Sequence, residues 1–334
     1  MSKTIRGAVI GYGGTLNMGK SHAFHMRDNG ISFVAACDID PVRSALAKED
    51  FPHIHNYTHV KDMLKQDDID LVSIITPHNA HADLAREVIA AGKHCVIEKP
   101  MCIHADEAFE LCELAKRQGV MLSVYQNRRW DGWYKTVKEL MAKGVLGDIF
   151  HADMFIGEYG YPGKWWRADK TISGGIFYDW GAHYADWLLT LVPEKVRSVR
   201  GFIHNRIWHD ISNEDQIDSI VEFESGAIAH IEVSNIARAR KAPVRIQGTK
   251  GSVVVHDLFK NDVTLYTEVN GVEMESKIRA KQDEPLGYYA NIREHLTNGA
   301  LLAVLPEEAA RNIALIETTE RSALRREPLP LPYE

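Results

Sequence analysis

Short apolar runs alternate with helical patterns through the first 125 residues, and this alternation constrains the fold more than any other feature of the sequence. The runs cover residues 5–10, 33–37, 71–75, 94–97 and 121–125. A continuous apolar run bounded by glycine or polar residues is typical of a strand that is buried on both faces of a parallel sheet. Because the connections are short and mostly helical, the pattern predicts an α/β domain with a parallel sheet.

A glycine-rich turn follows the first run and precedes a helical pattern over residues 21–28. Gly11 and Gly13 have the spacing of the first two glycines in a dinucleotide-binding turn, where glycine allows a tight bend and close approach to pyrophosphate. The next glycine, Gly19, comes six positions after Gly13 rather than three, so the loop is three residues longer than usual. We expect backbone N–H groups here to bind pyrophosphate, and the alternative is a glycine-rich turn without function. The residues assigned to this site are Gly11, Tyr12, Gly13, Thr15, Asn17 and Met18.

Polar residues follow the later runs, at the sheet edge where ligands bind in open α/β folds. Asp38 ends the second run, and its carboxylate can accept hydrogen bonds from both hydroxyls of an adenosine ribose while repelling a 2′-phosphate. Arg43 lies in the first turn of the next helix and is a candidate for contact with adenine. The other candidates for cofactor contact are Thr76, Pro77, Asn79, His81, Glu98, Lys99 and Gln126.

Charge and composition argue against several classes of protein. A net charge of −7 argues against a nucleic-acid partner bound through a broad basic surface. No apolar run approaches membrane-spanning length, and the N-terminus enters a strand pattern without a signal peptide. The four cysteines fit no zinc spacing, so we expect reduced core thiols in a cytoplasmic protein with no membrane partner. Three neighbouring histidines, His53, His55 and His59, lack matching carboxylates, and we expect no metal.

The segment of residues 174–187, GGIFYDWGAHYADW, carries a second set of candidate residues. If a helix begins near Asp179, then Asp179 and His183 lie one turn apart on the same face. Histidine titrates near neutrality, and a carboxylate one turn away can orient its ring, so the two form a candidate acid–base pair. The alternative is an amphipathic helix that contains an ordinary hydrogen-bonded histidine.

With these features the chain resembles the glucose–fructose oxidoreductase/inositol dehydrogenase (Gfo/Idh/MocA) family. The resemblance implies an N-terminal Rossmann domain and a C-terminal α/β domain with an open, mostly antiparallel sheet. It also implies a nicotinamide cofactor and, usually, a sugar or polyol substrate. The motifs that carry it are the early glycine turn, Thr76-Pro77 with His81, residues 90–94 running into Glu98-Lys99-Pro100, and residues 174–186.

The resemblance also assigns roles, because it implies that Lys99 and His183 face the reacting carbon with Asp179 beside them. We assign His183 as the general base, since an unperturbed imidazole has a pKa of about 6.5 and an unperturbed lysine one of about 10.4. Lys99 then holds and polarises the substrate oxygen, and Asp179 either orients His183 or binds a neighbouring hydroxyl. A desolvated Lys99 beside the positive nicotinamide is the alternative base.

The second half of the chain supplies the substrate candidates. Trp165 and Trp166 could stack on a sugar ring and Arg167 could bind a hydroxyl or carboxylate, unless the tryptophans only anchor a loop on the core. Asn127, after the fifth run, could reach the cofactor or the substrate. We divide the chain into a domain of residues 1–125 and one of residues 126–334. Because the open sheet of the second domain must cover its free face, we expect a homo-oligomer, a dimer or a tetramer.

The sequence therefore predicts an NAD-dependent oxidoreductase that transfers hydride between nicotinamide and a sugar, a polyol or a sugar derivative. One alternative uses bound NAD only transiently, so that a glycosidic bond is cleaved by hydrolysis or elimination without net redox change. The other is a non-catalytic nucleotide-binding module, and the presence of Lys99, Asp179 and His183 argues against it.

Overall fold

A computed structural model describes residues 4–14 and 16–334. The chain divides into two compact units, one extending to Gln126 and including Leu286–Ala310, and the other comprising Asn127–Pro285 and Arg311–Glu334. The first break agrees with the predicted boundary to within one residue. The segment Leu286–Ala310 was expected in the second domain and lies instead in the first unit.

The first unit is built on a six-stranded, wholly parallel sheet, as the alternating pattern predicts. Its strands are β1 (Arg6–Ile10), β2 (Ser32–Cys37), β3 (His55–Tyr57), β4 (Leu71–Ile74), β5 (His94–Ile97) and β6 (Leu122–Val124). They lie in the order β3-β2-β1-β4-β5-β6, so the winding direction reverses between β1 and β4. Its first five helices are α1 (Met18–Asp28), α2 (Pro41–Asp50), α3 (Val60–Leu64), α4 (His81–Ala90) and α5 (Ala105–Gln118).

Burial on both faces explains why the central strands have continuous apolar sequences. Every residue of β4 is buried, and Cys95, Val96 and Ile97 of β5 are fully inaccessible. The four cysteines are free and buried, as predicted. The sequence analysis missed β3 and α3, since they are three and five residues long and carry polar side chains.

One helix from late in the chain, α9 (Gly287–Asn298), completes the first unit. Tyr288 and Tyr289 are at most 1% exposed, and their hydroxyls form hydrogen bonds with Ser123 of β6 and Ser73 of β4. Tyr288 and Ser123 are 165 positions apart in the sequence, and Tyr289 and Ser73 are 216 positions apart. A pattern read along the chain does not contain such pairings, which is why the predicted boundary is wrong for this segment.

The second unit contains an eight-stranded sheet. Its strands are β7 (Ile149–Gly157), β8 (Val196–His204), β9 (Gln216–Phe223), β10 (Ile228–Ser234), β11 (Val244–Gly248), β12 (Gly251–Asp257), β13 (Asp262–Val269) and β14 (Val272–Ile278). They lie in the order β14-β13-β12-β11-β7-β10-β9-β8, and only β7 and β10 pair in parallel. The prediction of a mostly antiparallel sheet is therefore confirmed. The helices are α6 (Gly132–Ala142), α7 (Lys170–Ser173), α8 (Gly181–Leu191) and, from Arg311 onward, α10 (Pro306–Arg325).

The two faces of this sheet differ in exposure. Alternate residues of β10 are buried, and α8 packs against β7 and β10. On the opposite face, which we call the outer face, Phe202, Ile220 and Ile228 are 38–44% exposed. Alternation of this kind is typical of an antiparallel sheet with one face on the core.

The sequence analysis missed the edge strand β14 because all of its residues are exposed or half-buried. With no core face, the strand has no apolar alternation to detect. The signal that was present is Asn270-Gly271, whose φ values of 54° and 80° form the two-residue turn into β14.

Among residues 4–14 and 16–334, no helix combines the length and apolar character that crossing a bilayer would require.

Candidate active site

The glycine turn between β1 and α1 has the conformation that a dinucleotide needs. Gly11 and Gly13 have φ values of 95° and 73°, in the region that favours glycine. A Cβ on Gly19 would lie 2.4 Å from the carbonyl oxygen of Gly11. Gly19 therefore permits the close helix–strand approach that the third glycine of such a turn provides, even though it comes three positions later.

The helix after the turn begins at Met18, three residues before the predicted start at residue 21. Part of the apparent loop extension thus forms the first helical turn, and only the residues just before it lengthen the loop. Asn17 precedes the helix in a left-handed conformation, and in the described part of the chain its side chain makes no capping hydrogen bond. The first-turn N–H groups suit an anion such as pyrophosphate. Thr15, also assigned to this site, lies outside the described residues.

Asp38 is fixed to the glycine turn by backbone hydrogen bonds. Its carboxylate accepts the N–H of Tyr12 at 2.8 Å and that of Asp40 at 2.9 Å, and the residue is 8% exposed. The hydroxyl of Tyr12 is bonded to Asp50, at 2.9 Å, so this buried ring supports the turn. Each carboxylate oxygen has a second lone pair, and the site therefore retains acceptors for ribose hydroxyls. Arg43 is half-exposed, and its guanidinium lies 3.6 Å from Asp40.

Glu98 and Lys99 follow β5 at the carboxyl edge of the same sheet, before a cis Lys99–Pro100 peptide. One oxygen of Glu98 accepts the backbone N–H of Lys99 at 2.9 Å, and the other lies 3.0 Å from Nε2 of His22. Desolvation acts to raise the pKa of Glu98, but the hydrogen bond from His22 and the nearby positive charges outweigh it and lower the pKa below its ordinary value. Glu98 is therefore a carboxylate that supports Lys99 from within the domain.

His81 joins two loops at this sheet edge. Its ring nitrogens lie 2.8 Å from the carbonyl oxygen of Pro100 and 2.9 Å from that of Thr76. The residue is 0% exposed, and burial lowers its pKa. The ring lies between the loops after β4 and β5, and as a neutral imidazole it donates its one N–H to one of the two carbonyl oxygens. Pro77 and Asn79 of the loop after β4 are exposed. Gln126, at the end of the unit, is 2% exposed.

In the second unit, α8 begins at Gly181, so Asp179 lies in the turn before the helix. The expectation of a helix that begins near Asp179 is therefore wrong. The chain makes a 3₁₀ turn over Ile176–Tyr178 first, and a Cβ on Gly181 would lie 2.0 Å from the ring of Phe177. This close packing places the helix start two residues later.

Asp179 forms an ion pair with Arg167, 2.5 Å between Oδ1 and Nη1. The guanidinium of Arg167 also lies over the rings of Trp165 and Trp166, 5.5 and 5.0 Å from their centroids. Trp165 is 37% exposed, whereas Nε of Arg167 is buried and has no hydrogen-bond partner among the described residues. Three of the predicted substrate residues are therefore grouped around Asp179.

His183 lies in the first turn of α8 and is 5% exposed. Its ring stacks on Trp187, with centroids 6.0 Å apart and planes at 19°, and meets Trp180 edge-on at 5.6 Å. Two aromatic rings fix the imidazole plane, as a proton-transferring histidine requires. Asn127, the remaining substrate candidate, begins a 3₁₀ turn and is half-buried.

Asp186, in the same helix, is a structural residue. It is 1% exposed and makes a two-point ion pair with Arg129, at 2.8 and 2.5 Å, and accepts a hydrogen bond from Asn312 at 3.0 Å. Sequence reasoning missed Arg129 as its partner, because the two residues are 57 positions apart.

A buried carboxylate pair supports the start of the 174–187 segment. Lys170 forms ion pairs with Glu214 and, at 3.0 Å, with Glu320. A Cβ on Gly175 would lie 2.8 Å from the carboxylate of Glu214 and 3.2 Å from that of Glu320. Gly175 has a φ of 128°, so both its conformation and this packing require glycine.

Glu320 makes stability depend on pH. Burial raises the pKa of its carboxyl from 4.5 to about 7, although the Lys170 ammonium opposes the shift. The folded protein keeps this proton where the unfolded chain has lost it, so the contribution of Glu320 to stability falls as pH rises from about 4.5 to about 7. Between pH 5 and pH 8 this proton loss should lower the free energy of unfolding of the wild type by about 3 kcal/mol. Glu320→Gln cannot lose the proton, so we expect it to remove this decrease and to raise the Tm at pH 8 by several degrees. Thermal unfolding between pH 5 and pH 8 measures both.

The control for this prediction is Glu327→Gln, which neutralises an exposed glutamate after the same helix. It should leave the pH dependence of the Tm unchanged. Equal slopes for wild type and Glu320→Gln would contradict the assignment.

One cluster on the outer face has spacing compatible with a metal: ligand atoms of Asp218, His230 and Glu232 lie within 4.8 Å of one another. The three are already bonded to other groups. His230 lies 2.9 Å from Asp218, and Lys241 pairs with Glu232. The first of these bonds links β10 to β9, and we assign the cluster no metal.

The two units thus define a class of protein: a dinucleotide-binding oxidoreductase with a separate open-sheet domain. The chain belongs to the Gfo/Idh/MocA family. Residues 5–126 match the family model described as oxidoreductase family, NAD-binding Rossmann fold, and residues 134–254 match that of the GFO/IDH/MocA C-terminal domain.

Characterised relatives include polyol dehydrogenases that use different cofactors. The scyllo-inositol 2-dehydrogenase (NADP(+)) IolW of Bacillus subtilis (strain 168) is 27% identical over 87% of this chain and 87% of its own length. The scyllo-inositol 2-dehydrogenase (NAD(+)) of the same organism is 27% identical over 79% of this chain and 78% of its own. A solved structure, an NAD-binding protein from Listeria innocua, superposes with a TM-score of 0.87 at 27% identity, covering 99% of this chain and 98% of the other.

Proposed function

We propose that the protein is an NAD-dependent dehydrogenase that transfers hydride between nicotinamide and a secondary alcohol or hemiacetal carbon of a sugar, a polyol or a sugar derivative. The observation that carries the proposal is the placement of Lys99 at the carboxyl edge of the sheet whose first turn fits a dinucleotide. A protein that only bound the nucleotide would have no use for a lysine whose backbone N–H is held there by the carboxylate of Glu98.

Bound nicotinamide supplies the hydride acceptor or donor. The chain supplies position and proton transfer. His183 takes the hydroxyl proton as the alcohol is oxidised, and Lys99 donates a hydrogen bond to the same oxygen and stabilises its developing negative charge.

The environment of Arg167 supports a substrate rich in hydroxyl groups. The buried and unpartnered Nε is a donor that a substrate oxygen would satisfy, because an unmet buried donor costs about 1–3 kcal/mol. Asp179, which already pairs with Arg167, offers acceptors for a neighbouring hydroxyl. The exposed part of Trp165 suits the apolar face of a sugar ring. Of the two roles predicted for Asp179, these contacts favour hydroxyl binding.

The position of Asp38 predicts a preference for NAD over NADP. A 2′-phosphate about 4 Å from this carboxylate would cost about 1 kcal/mol in water and about 4 kcal/mol in a partly buried site. Because Asp38 is buried, the second figure applies, and we expect at least tenfold weaker binding of NADP. Two nearby cations that could offset the repulsion already have partners, since Lys20 pairs with Asp50 and Arg43 with Asp40. We expect Asp38→Ala to narrow the gap between the two dissociation constants, which titration by nucleotide fluorescence measures. Equal affinities in the wild type would contradict this assignment.

A cofactor-linked screen tests the function. Wild-type protein is mixed with NAD and about a hundred sugars, polyols and sugar acids, because pockets of this kind give little information about configuration. We expect NADH absorbance with at least one of them. Cleavage of a glycoside without net NADH would instead identify the transient-redox reaction, and tight NAD binding with neither activity would identify a binding module.

The outer face of the second sheet supports a homo-oligomer. Phe202, Ile220 and Ile228 expose apolar surface that a second copy would cover. We expect light scattering to show a dimer or tetramer that Ile220→Lys dissociates. The control is Leu324→Lys, at an 82% exposed position of α10, which should leave the oligomer intact. A monomeric wild type would refute this part of the proposal.

A further inference from the structure

A chain of hydrogen bonds runs through the buried interior of the first unit and ends at Glu98. Ser73 of β4 lies 2.9 Å from the hydroxyl of Tyr289, which lies 2.6 Å from Nδ1 of His22 in α1. Nε2 of His22 lies 3.0 Å from Glu98, and Glu98 accepts the backbone N–H of Lys99. Ser73, Tyr289 and His22 are all 0% exposed. Residues from four distant parts of the sequence are thus connected to the peptide unit of the proposed substrate-binding lysine.

One of these hydrogen bonds has a fixed direction. A carboxylate only accepts, so Nε2 of His22 must carry a proton and donates a hydrogen bond to Glu98. Tyr289 bonds to the other ring nitrogen and Ser73 bonds to Tyr289, and the donor in each of these two bonds is set by whether Nδ1 of His22 carries a proton.

We propose that His22 is a positioning residue of the reaction. It fixes the carboxylate of Glu98, and that carboxylate accepts the backbone N–H of Lys99. The position of the Lys99 backbone, from which the side chain extends, therefore depends on His22. The inference rests on the proposed function of Lys99. It adds a residue in the first helix that the motifs of the family resemblance do not include.

Loss of His22 would leave one Glu98 oxygen buried without its donor. An unmet buried acceptor is relieved either by movement of the side chain or by protonation. The groups that act on Glu98 are His22 from α1, Lys99 beside it and His81 from α4. Without the first of these, desolvation opposes ionisation with less compensation, and a protonated Glu98 holds the Lys99 amide less firmly.

Helix α1 provides a matched control. His25 lies one turn after His22 in the same helix, and its Nδ1 bonds to the hydroxyl of Tyr125, 2.9 Å away. The ring of Tyr125 also packs against His22, with centroids 4.2 Å apart. His25→Phe therefore disturbs the same aromatic cluster through a hydrogen bond that goes to a tyrosine rather than to Glu98.

The test uses the full-length protein and four variants: His22→Phe, His22→Gln, Tyr289→Phe and His25→Phe. Amide hydrogen exchange at Lys99 reads the proposed contact without substrate, and kcat against pH reads its consequence. For His22→Phe we expect exchange at least 10-fold faster, kcat about 10–100-fold lower, and an acid limb of the profile displaced upward, with NAD affinity retained. His22→Gln keeps a hydrogen-bond donor for Glu98, so its amide exchange at Lys99 and its kcat should both be close to those of the wild type.

Tyr289→Phe removes the hydroxyl that bonds to Nδ1 of His22 and to Ser73, leaves the ring in place and should show a smaller change in the same direction. If His22→Phe does not fold, this variant and His22→Gln carry the test. Lys99 exchange in His22→Phe that matches His25→Phe, or in Tyr289→Phe that matches wild type, would overturn the proposal. A wild type that oxidises no sugar while these exchange differences appear would refute the proposed function and leave the positioning role supported.

Discussion

Replacing His183 with asparagine is expected to lower kcat about 10²–10⁴-fold while NAD binding is retained. Imidazole is the side chain whose ordinary pKa lies nearest neutrality, and the rings of Trp180 and Trp187 fix the plane of His183. Asparagine has a similar size and can form hydrogen bonds, but it cannot accept the hydroxyl proton. The variant should therefore also lose the acid-side limb of the kcat profile, where the base becomes protonated.

Lys99→Met is the companion variant. If Lys99 only holds and polarises the substrate oxygen, its removal should lower kcat and leave the acid limb in place. Near-normal turnover in His183→Asn with the limb intact would transfer the base role to Lys99. Near-normal turnover in both variants would show that this pair does not carry the reaction. Nucleotide titration on each variant separates loss of chemistry from loss of cofactor binding.

The sequence predicted those parts of the fold whose signals are local. Apolar runs, glycines and short connections identify the parallel sheet, and all five predicted strands of the first unit exist. Gly11, Gly13 and Asp38 lie where the dinucleotide pattern requires them, because that pattern describes one strand–turn–helix. The irregular spacing of Gly19 needed the structure, since only the packing of α1 on β1 shows that it serves as the third glycine.

Contacts between residues that are far apart in the sequence could not be predicted. The ion pair of Asp179 with Arg167 of a preceding turn was not predicted. The buried polar residues His22 and Tyr289 carry no motif, and their contact spans 267 positions. The sequence signal for this contact is a histidine in the helical pattern after the glycine turn, and a histidine alone does not indicate which residue it contacts.

Asp186 shows the same limit in a residue that supports the site, and it gives the largest expected effect on stability. Its carboxylate and the guanidinium of Arg129 are 1% and 8% exposed. Asp186→Ala would leave the guanidinium buried without a counter-charge, which typically costs about 3–5 kcal/mol. We expect the Tm to fall by about 5–15 °C. The bond to Asn312 in α10 is lost as well, so α8 and α10 should loosen together.

Two comparisons make the cause of that loss clear. Glu222→Ala removes an ion pair with Arg197 in which the side chains are 40% and 48% exposed, and it should cost less than about 1 kcal/mol. The double variant Arg129→Met with Asp186→Leu removes both buried charges and should recover most of the stability, because apolar side chains of similar volume can replace a buried pair at little net cost. Urea unfolding of the four proteins measures these differences. If Asp186→Ala cost no more than Glu222→Ala, the Arg129–Asp186 pair would not be what holds α8 in place.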